Sequence, residues 1–296
     1  MMADKKILII GSRGQIGRAL LEILGKEAVG VASTQLDLAK TDSIAKFLQN
    51  YNPIAVINTA AYTGVDKAES ERDAAFALNA LAPEIMAKFC CEKNIPFVHY
   101  STDYVYSGCG NHFMTENEEY GPINHYGVTK LEGDRRVEAV GGKFLIFRIC
   151  WVYDVSGKNF LNTILRLAAE KSELAVINDQ FGAPTFSGDI ARATIDCLSK
   201  GIKFPIFPSG VYNLCSSGET NWYDYARMIV ERARYLGANL LVDKILPILT
   251  TDYVTPARRP LNSRLSTEKI KRVFGISMPL WQDTLERVLM RKYASN

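Results

Sequence analysis

KKILIIGSRGQIGRALLEILG, residues Lys5–Gly25, decides the fold of this chain. The unbroken apolar run Ile7–Ile10 stops at a glycine, as a strand buried on both faces does. From Gln15 on, apolar residues recur at helical spacing until Gly25 ends the pattern. Between the two lie Gly11, Gly14 and Gly17, spaced G-x-x-G-x-x-G. Glycine suits that junction because the strand must turn tightly and let the backbone approach a pyrophosphate. The helix start then offers free N–H groups and the positive end of its dipole. A glycine pattern alone also fits a merely tight turn, but this one follows the first apolar strand and opens the first helix, the context of a dinucleotide loop. The stretch therefore nominates Gly11, Arg13, Gly14, Gln15, Ile16 and Gly17 as cofactor-binding residues.

The same alternation continues downstream. AVGVAS (Ala28–Ser33), IAVINTAA (Ile54–Ala61), PFVHYST (Pro96–Thr102) and KFLIFRICWVY (Lys143–Tyr153) read as further buried strands. DSIAKFLQNYN reads as a helix with Asp42 as its N-cap and Pro53 beyond it. The longer run Ala74–Asn94 reads as a helix bent near Pro83. Alternating strands and helices predict an α/β fold, a Rossmann-type doubly wound parallel sheet. After about Tyr153 the rhythm changes to amphipathic segments and scattered prolines, which predicts a smaller, mixed C-terminal substrate lobe. The expected division is a dinucleotide-binding domain over 1–153, with a returning segment about 173–200, and a substrate-binding lobe over 154–172 and 201–296.

Bulk composition narrows the function classes. A chain of 296 residues, 47% hydrophobic and 23% charged, has an ordinary globular composition and can bury a full core. Its net charge of +3 is small, and its arginine doublets fall only at Arg135–Arg136 and Arg258–Arg259, so nothing calls for nucleic acid or a membrane surface. No stretch reads as the ~18 apolar residues of a spanning helix. The start, MMADKK, lacks the apolar core of a secretory signal. The six cysteines show no C-x-x-C spacing, and the three histidines show no metal-ligand spacing. These features lead us to expect a cytoplasmic protein without a structural metal.

Tyr126 and Lys130 in HYGVTK stand four residues apart, on one face of a helix. A phenol titrates near ~10, and a neighbouring ammonium favours its ionised form. Such a pair makes a proton donor or acceptor that works near neutrality. With 14 Tyr and 18 Lys, about one Tyr-x-x-x-Lys match arises by chance, and a solvated helix face is the other reading. What singles this pair out is its place behind a glycine loop and 24 residues after Thr102 in YSTDYVYSG.

The second strand ends Val31-Ala32-Ser33-Thr34 without the carboxylate that would bind a free ribose 2′-hydroxyl. Arg13 and Arg18 lie where a guanidinium suits a 2′-phosphate. The expected cofactor is NADPH, with NADH as the alternative. Asp37, followed by Leu38, stands where a carboxylate can accept from the adenine amine; a loop aspartate before a helix is the competing reading.

These pieces together resemble the extended short-chain dehydrogenase/reductases. More closely, the chain resembles the dTDP-4-dehydrorhamnose reductase family along nearly its whole length. The diagnostic strings are NTAAYTGVDKAES (Asn58–Ser70), YSTDYVYSG (Tyr100–Gly108), HYGVTKLEGD (His125–Asp134), FRICWVY (Phe147–Tyr153), VINDQFGAPT (Val176–Thr185) and RRPLNSRLSTEK (Arg258–Lys269). The resemblance implies reduction of the 4-keto group of a dTDP-linked 6-deoxysugar. Tyr126 would protonate the oxygen, Lys130 would lower the tyrosine pKa and bind the nicotinamide ribose, and Thr102 would donate to the same oxygen. Ala60, Ala61 and Tyr62 would lie along the cofactor. Family members often carry histidine where Tyr62 stands, which leaves its contact undefined. Val65 and Asp103 would lie near the sugar.

Trp151 matches a tryptophan lining the sugar pocket, although a core role fits equally. Asn178, Asp179 and Gln180 interrupt an apolar strand end and read as a ligand-facing loop. Arg258 or Arg259 is the candidate for the diphosphate, with a solvated basic doublet as the other reading. One departure matters. Some relatives are dimers bridged by magnesium on glutamates, whereas Ala19 and Arg291 stand near the corresponding positions here. Magnesium is therefore doubtful, and a homodimer stays open. Two other readings remain at this level. One is a nucleotide-sugar epimerase or dehydratase, although Tyr104 follows Asp103 where dehydratases place a glutamate. The other is a non-catalytic regulatory subunit resembling the methionine adenosyltransferase β subunit.

Overall fold

The computed structural model describes residues 6–293; Lys5 of the opening stretch and the rest of MMADKK before Lys6 lie outside the described residues, as do 294–296. Six parallel strands form the main sheet: β1 (Ile7–Ile10), β2 (Ala28–Val31), β3 (Ala55–Asn58), β4 (Phe97–Thr102), β5 (Phe144–Ile149) and β6 (Gly210–Asn213). Their order is β6-β5-β4-β3-β1-β2. The order reverses between β1 and β3, which opens a crevice at the carboxyl ends of those strands. Registers Ile10↔Val31 and Ile10↔Asn58 bring the three strand ends level, so Gly11, Ala32 and Thr59 emerge side by side.

The longer helices are α1 (Gln15–Leu24), α2 (Ile44–Tyr51), α3 (Ala82–Glu92), α4 (His125–Val140), α5 (Phe160–Glu170), α6 (Ser187–Gly201), α7 (Trp222–Tyr235), α8 (Glu268–Phe274) and α9 (Trp281–Tyr293). Leu20 of α1, Ile190 of α6 and Ile270 of α8 cover one face of the sheet. Leu48 of α2, Met86 of α3 and Val137 of α4 cover the other. Both faces are therefore dry, and the strands read as continuous apolar runs for that reason. A separate apolar cluster joins α5, α7 and α9 around Tyr225, Ile229 and Leu285.

Several sequence expectations shift in detail. Asp42 does not cap α2; it lies inside a 3₁₀ turn, Thr41–Ser43, that precedes the helix. The bend near Pro83 is a π-helical stretch, Ala77–Leu81, between the short helix Arg72–Phe76 and α3. Proline at the start of α3 has no N–H to donate, and widening the turn before it accommodates that loss. The run Arg72–Glu92 is long and apolar enough to cross a membrane by length and composition, contrary to the sequence reading, but half of that apolar window is buried inside the protein. The returning segment also divides. Glu173–Ile177 pairs in parallel with Lys244–Ile248 away from the main sheet, and only α6 packs on it. Gly210–Asn213, expected in the second lobe, instead pairs with β5 at the sheet edge.

Candidate active site

The β1–α1 junction places two of its glycines by packing alone. Gly11 has φ +84°, and a Cβ there would lie 2.6 Å from the Ala60 nitrogen. A Cβ on Gly17 would lie 2.5 Å from the Gly11 carbonyl oxygen, so Gly17 holds α1 against the turn and does not line the groove. Gly14 is the N-cap of α1 and brings no side chain to its end. The first N–H groups of a helix have no partner within it.

Gly14 also lines two adjoining cavities. The first, about 340 Å³, is bordered by Gly11, Arg13, Asp37, Leu38, Ala60 and Ala61 at the ends of β1, β2 and β3. The second, about 540 Å³, takes in Gln15, Ile16, Val65, Thr102, Asp103, Tyr126, Lys130 and Trp151. Ala61, Thr59 and Thr63 border both, which makes one continuous groove. Residues as distant in sequence as Gly11 and Trp222 thus meet where the strand order reverses.

The floor of the second cavity comes from β4 and α4. Asn124 caps α4 by accepting from the Gly127 N–H at 2.8 Å, which orients the first turns that carry Tyr126 and Lys130. A fully buried ion pair, Arg148 Nε to Asp134 Oδ2 at 3.2 Å, ties α4 to β5, and Ser101 Oγ donates to the same carboxylate at 2.8 Å. Thr102 Oγ1 donates to Asp103 Oδ1 at 3.0 Å and accepts from the Tyr104 N–H at 3.2 Å. Asp103 is buried, and its Oδ2 has no hydrogen-bond partner among the described residues. Burial pushes its carboxyl up to about 6 against the pull of the nearby Ser263 and Thr102 hydroxyls.

The hydrogen bonds of Lys130 go to groups other than Tyr126. Its Nζ donates to the Tyr100 carbonyl at 2.6 Å and lies 3.1 Å from His99 Nε2. Burial pushes Lys130 down to about 8, with Asp134 opposing. The Tyr126 phenol is pushed up, first by burial and then by Asp103, while the Thr102 hydroxyl pulls the other way. Burial is thus the largest influence on Tyr126, and it favours the protonated phenol.

The opposite wall holds Trp151, which borders the cavity, together with residues that sequence reasoning placed differently or missed. Trp151 has φ +47° and stacks on Trp222, ring centroids 3.6 Å apart at 16°. Gly182 packs so closely that a Cβ there would lie 2.8 Å from the Trp151 ring. One face of Trp151 is therefore taken by Trp222, which borders the cavity beside it. Asp179 and Gln180 are spent on anchoring: Thr250 Oγ1 donates to Asp179 at 2.6 Å, Gln180 Nε2 donates to Thr250 Oγ1 at 3.1 Å, and Trp222 Nε1 donates to Gln180 Oε1 at 3.1 Å. None of Asn178, Asp179 and Gln180 lines the groove, although the buried Asn178 Oδ1 has no partner among the described residues. Tyr62 turns away to donate to Glu71 at 2.6 Å. Arg259 pairs with Asp66 at 2.9 Å, and Arg258 is exposed and offers its carbonyl to Asn124. Trp222 escaped the sequence reading because its spacing with Tyr225 and Ile229 is that of a core helix face. Lys158, also at the cavity, carried no signal.

Among the described residues no cluster of three His, Cys, Asp or Glu could hold a metal ion. Near Ala19, Glu22 pairs with Arg291 at 3.1 Å, and Glu286 pairs with Arg232 at 3.3 Å. A guanidinium at that place does not fit a bridging magnesium.

Fold and groove together have the layout of the extended short-chain dehydrogenase/reductases. The family model described as RmlD substrate binding domain matches residues 5–294. A dTDP-4-dehydrorhamnose reductase of Escherichia coli (strain K12) is 43% identical over 289 residues, 96% of each chain. The solved dTDP-4-dehydrorhamnose reductase of Bacillus anthracis str. Ames, in complex with NADP, superposes with TM-score 0.89 at 30% identity, covering 97% of this chain and 99% of that one. The Clostridium acetobutylicum ATCC 824 structure of the same description gives TM-score 0.89 at 33% identity over 96% and 98%. The chain belongs to the dTDP-4-dehydrorhamnose reductase family.

Proposed function

We propose that this protein reduces dTDP-4-dehydro-L-rhamnose to dTDP-L-rhamnose with a nicotinamide cofactor, NADPH ahead of NADH. The observation that carries the reading is the groove: the glycine junction at one end runs without a break to Thr102, Tyr126 and Lys130 at the other. The residues fit a dinucleotide. An uncapped helix start and a glycine face the pyrophosphate position, and small residues, Ala60 and Ala61, let a flat ligand pass close to the sheet. Arg13 at the adenine end, with no carboxylate at the end of β2, supports NADPH.

When bound there, the nicotinamide supplies a hydride to the carbonyl carbon at sugar position 4. Tyr126 holds the proton for the carbonyl oxygen, and its raised pKa keeps that proton in place until negative charge gathers on the oxygen. Thr102, turning from Asp103, donates a second hydrogen bond to the same oxygen and stabilises the alkoxide as it develops. Lys130 offers its amine at the cavity floor for the cofactor ribose. Trp222, stacked on Trp151, presents an aromatic surface to the apolar side of the sugar. Val65 and Asp103 border the sugar, and Arg259 with Arg258 lies toward the diphosphate. Residues 1–153 hold the cofactor, while the part built around α5, α7 and α9 supplies the wall for the sugar. Six free thiols, four of them buried, support a cytoplasmic setting. An epimerase, a dehydratase or a regulatory subunit is less well supported, because the relatives quoted above are all named as reductases.

The test is NADPH oxidation with dTDP-4-dehydro-L-rhamnose, the product identified by NMR and the specificity constants compared between NADPH and NADH. Formation of dTDP-L-rhamnose with a lower constant for NADH is expected. A different product refutes the substrate, and a clear NADH preference refutes the role of Arg13.

A further inference from the structure

Asp103, Lys130 and Lys158 are the charged residues that border the second cavity. Lys130 is buried and committed to the Tyr100 carbonyl, and Arg13 borders only the first cavity. Lys158 is therefore the one exposed cation at the second cavity among the described residues, and its ammonium has no hydrogen-bond or ion-pair partner among them. The loop that carries it, residues 154–159, is held from several sides. Gly157, at φ +84°, turns the chain just before Lys158. Asn159 caps α5 by accepting from the Asn162 N–H at 2.9 Å, and its Nδ2 donates to Gln15 Oε1 at 3.1 Å and to the Asp154 carbonyl at 2.9 Å. Arg18 donates to Ser156 Oγ at 3.4 Å and lies 3.6 Å from the Asp154 carboxylate. Lys292 donates to the Val155 carbonyl at 3.1 Å. Gln15 and Arg18 belong to α1, so the loop is tied to the helix whose start faces the groove. Every polar side chain of the loop is spent on holding it except Lys158.

We propose that Lys158 is a phosphate-binding residue, its ammonium and the α1 start converging on one diphosphate in the groove. The proposal rests on the functional reading for the occupants of the groove: a nicotinamide dinucleotide and a nucleoside diphosphate sugar each carry one diphosphate. Such a group leaves water only where charge and donors replace its hydration. The start of α1 supplies N–H groups and the positive end of a dipole, but Gly14 brings no side chain there. A lysine supplies what is missing: a compact charge with three donors, on a flexible stem that adjusts its reach.

The Gln15 tether puts the loop beside the glycine junction, which favours the diphosphate of the cofactor. The nucleotide sugar carries the same group, and measurement separates the two sources. The loop leads into α5, which shares an apolar cluster with α7 and α9. A phosphate contact from Lys158 thus joins the part that holds the cofactor to the part that supplies the wall for the sugar.

The test is isothermal titration calorimetry of the full-length protein with NADPH and, separately, with dTDP, each at low and high salt. Wild type is compared with Lys158→Gln, which removes the charge, and Lys158→Arg, which keeps it. Lys158 is exposed, so neither change disturbs the core. In Lys158→Gln the Kd of one compound should rise roughly fivefold to twentyfold, and that Kd should depend less on salt. Lys158→Arg should stay within about threefold of wild type, because the charge is kept. A rise for NADPH assigns the contact to the cofactor and a rise for dTDP assigns it to the nucleotide sugar; either supports the proposal. Constants for both compounds within about twofold of wild type in Lys158→Gln overturn it. An equal rise in the Gln and Arg variants also overturns it, since charge would then not be the cause. A wild type that binds both compounds, with constants that Lys158→Gln leaves alone, refutes this proposal and leaves the functional reading standing. A wild type that binds neither refutes that reading and this proposal with it.

Discussion

Thr102, Tyr126 and Lys130 reach the cavity from β4 and α4, where sheet register, an Asn124 cap and a fully buried Asp134–Arg148 pair fix their backbone. Trp151 and Trp222 reach it from a left-handed loop residue and a helix start, and side chains hold them: Gln180, Thr250 and Asp179 in series. The floor carries groups whose proton affinities burial has moved, Asp103, Tyr126 and Lys130. The wall carries aromatic surface and amides, which do not titrate. The difference separates two tasks. A floor set by the sheet serves the chemical step, which tolerates little misplacement. A wall set by hydrogen-bonded loops serves recognition, which can be altered without rebuilding the sheet.

Tyr126→Phe strikes the floor hardest. It removes the proton donor and leaves the ring against Tyr104, so the fold should survive. The expected loss in kcat is roughly 10²- to 10⁴-fold, the usual worth of a positioned acid, with NADPH affinity by fluorescence titration almost unchanged. Near-normal turnover would remove Tyr126 from the acid role and erase the contrast between the two regions.

Asp103 shows what the floor gives up in stability. Its carboxyl sits near 6 in the folded protein, against about 3.9 for an unperturbed aspartate. Between those values the unfolded chain ionises the group while the native state keeps it protonated. Stability therefore falls as pH rises through this window and stays lower above it, by about 3 kcal/mol for a two-unit shift. Asp103→Asn should match the wild type at pH 4 and exceed it at pH 7 by roughly 2–3 kcal/mol in urea denaturation. Identical pH dependence in both proteins would show that the buried carboxylate is not the destabilising charge.

The floor was also the part that the sequence displayed. Its glycine junction and its Tyr/Lys pair are each contiguous, and local spacing places their members on one turn or one helix face. Even there, the spacing of Tyr126 and Lys130 shows proximity but not surroundings: burial moves both proton affinities, and the His99 contact comes from 31 residues away. The wall was illegible for the same kind of reason. Trp222 and Gln180 are 42 residues apart, and Gln180 and Thr250 are 70 apart. No local pattern distinguishes an amide that binds a ligand from one that anchors a loop. The π-helical stretch at Ala77–Leu81 was visible only as a proline in a helical run, because the sequence does not say where the widened turn will fall.

Thr250→Val probes the wall at its mildest point. The substitution keeps shape and volume nearly constant but deletes the hydroxyl that donates to Asp179 and accepts from Gln180. The Thr250 N–H still bonds to Asp179 at 2.9 Å, so the loop keeps one of its anchors. Gln180 loses a partner for its amide while still holding Trp222. One or two neutral-to-charged hydrogen bonds are worth about 1–2 kcal/mol in context. If the wall serves recognition alone, that energy appears as a roughly fivefold to thirtyfold rise in KM for the nucleotide sugar, with kcat within about twofold and the NADPH constants unmoved. A loss confined to kcat would mean that the aromatic pair also orients the carbonyl over the floor, and the two regions would then share a single task.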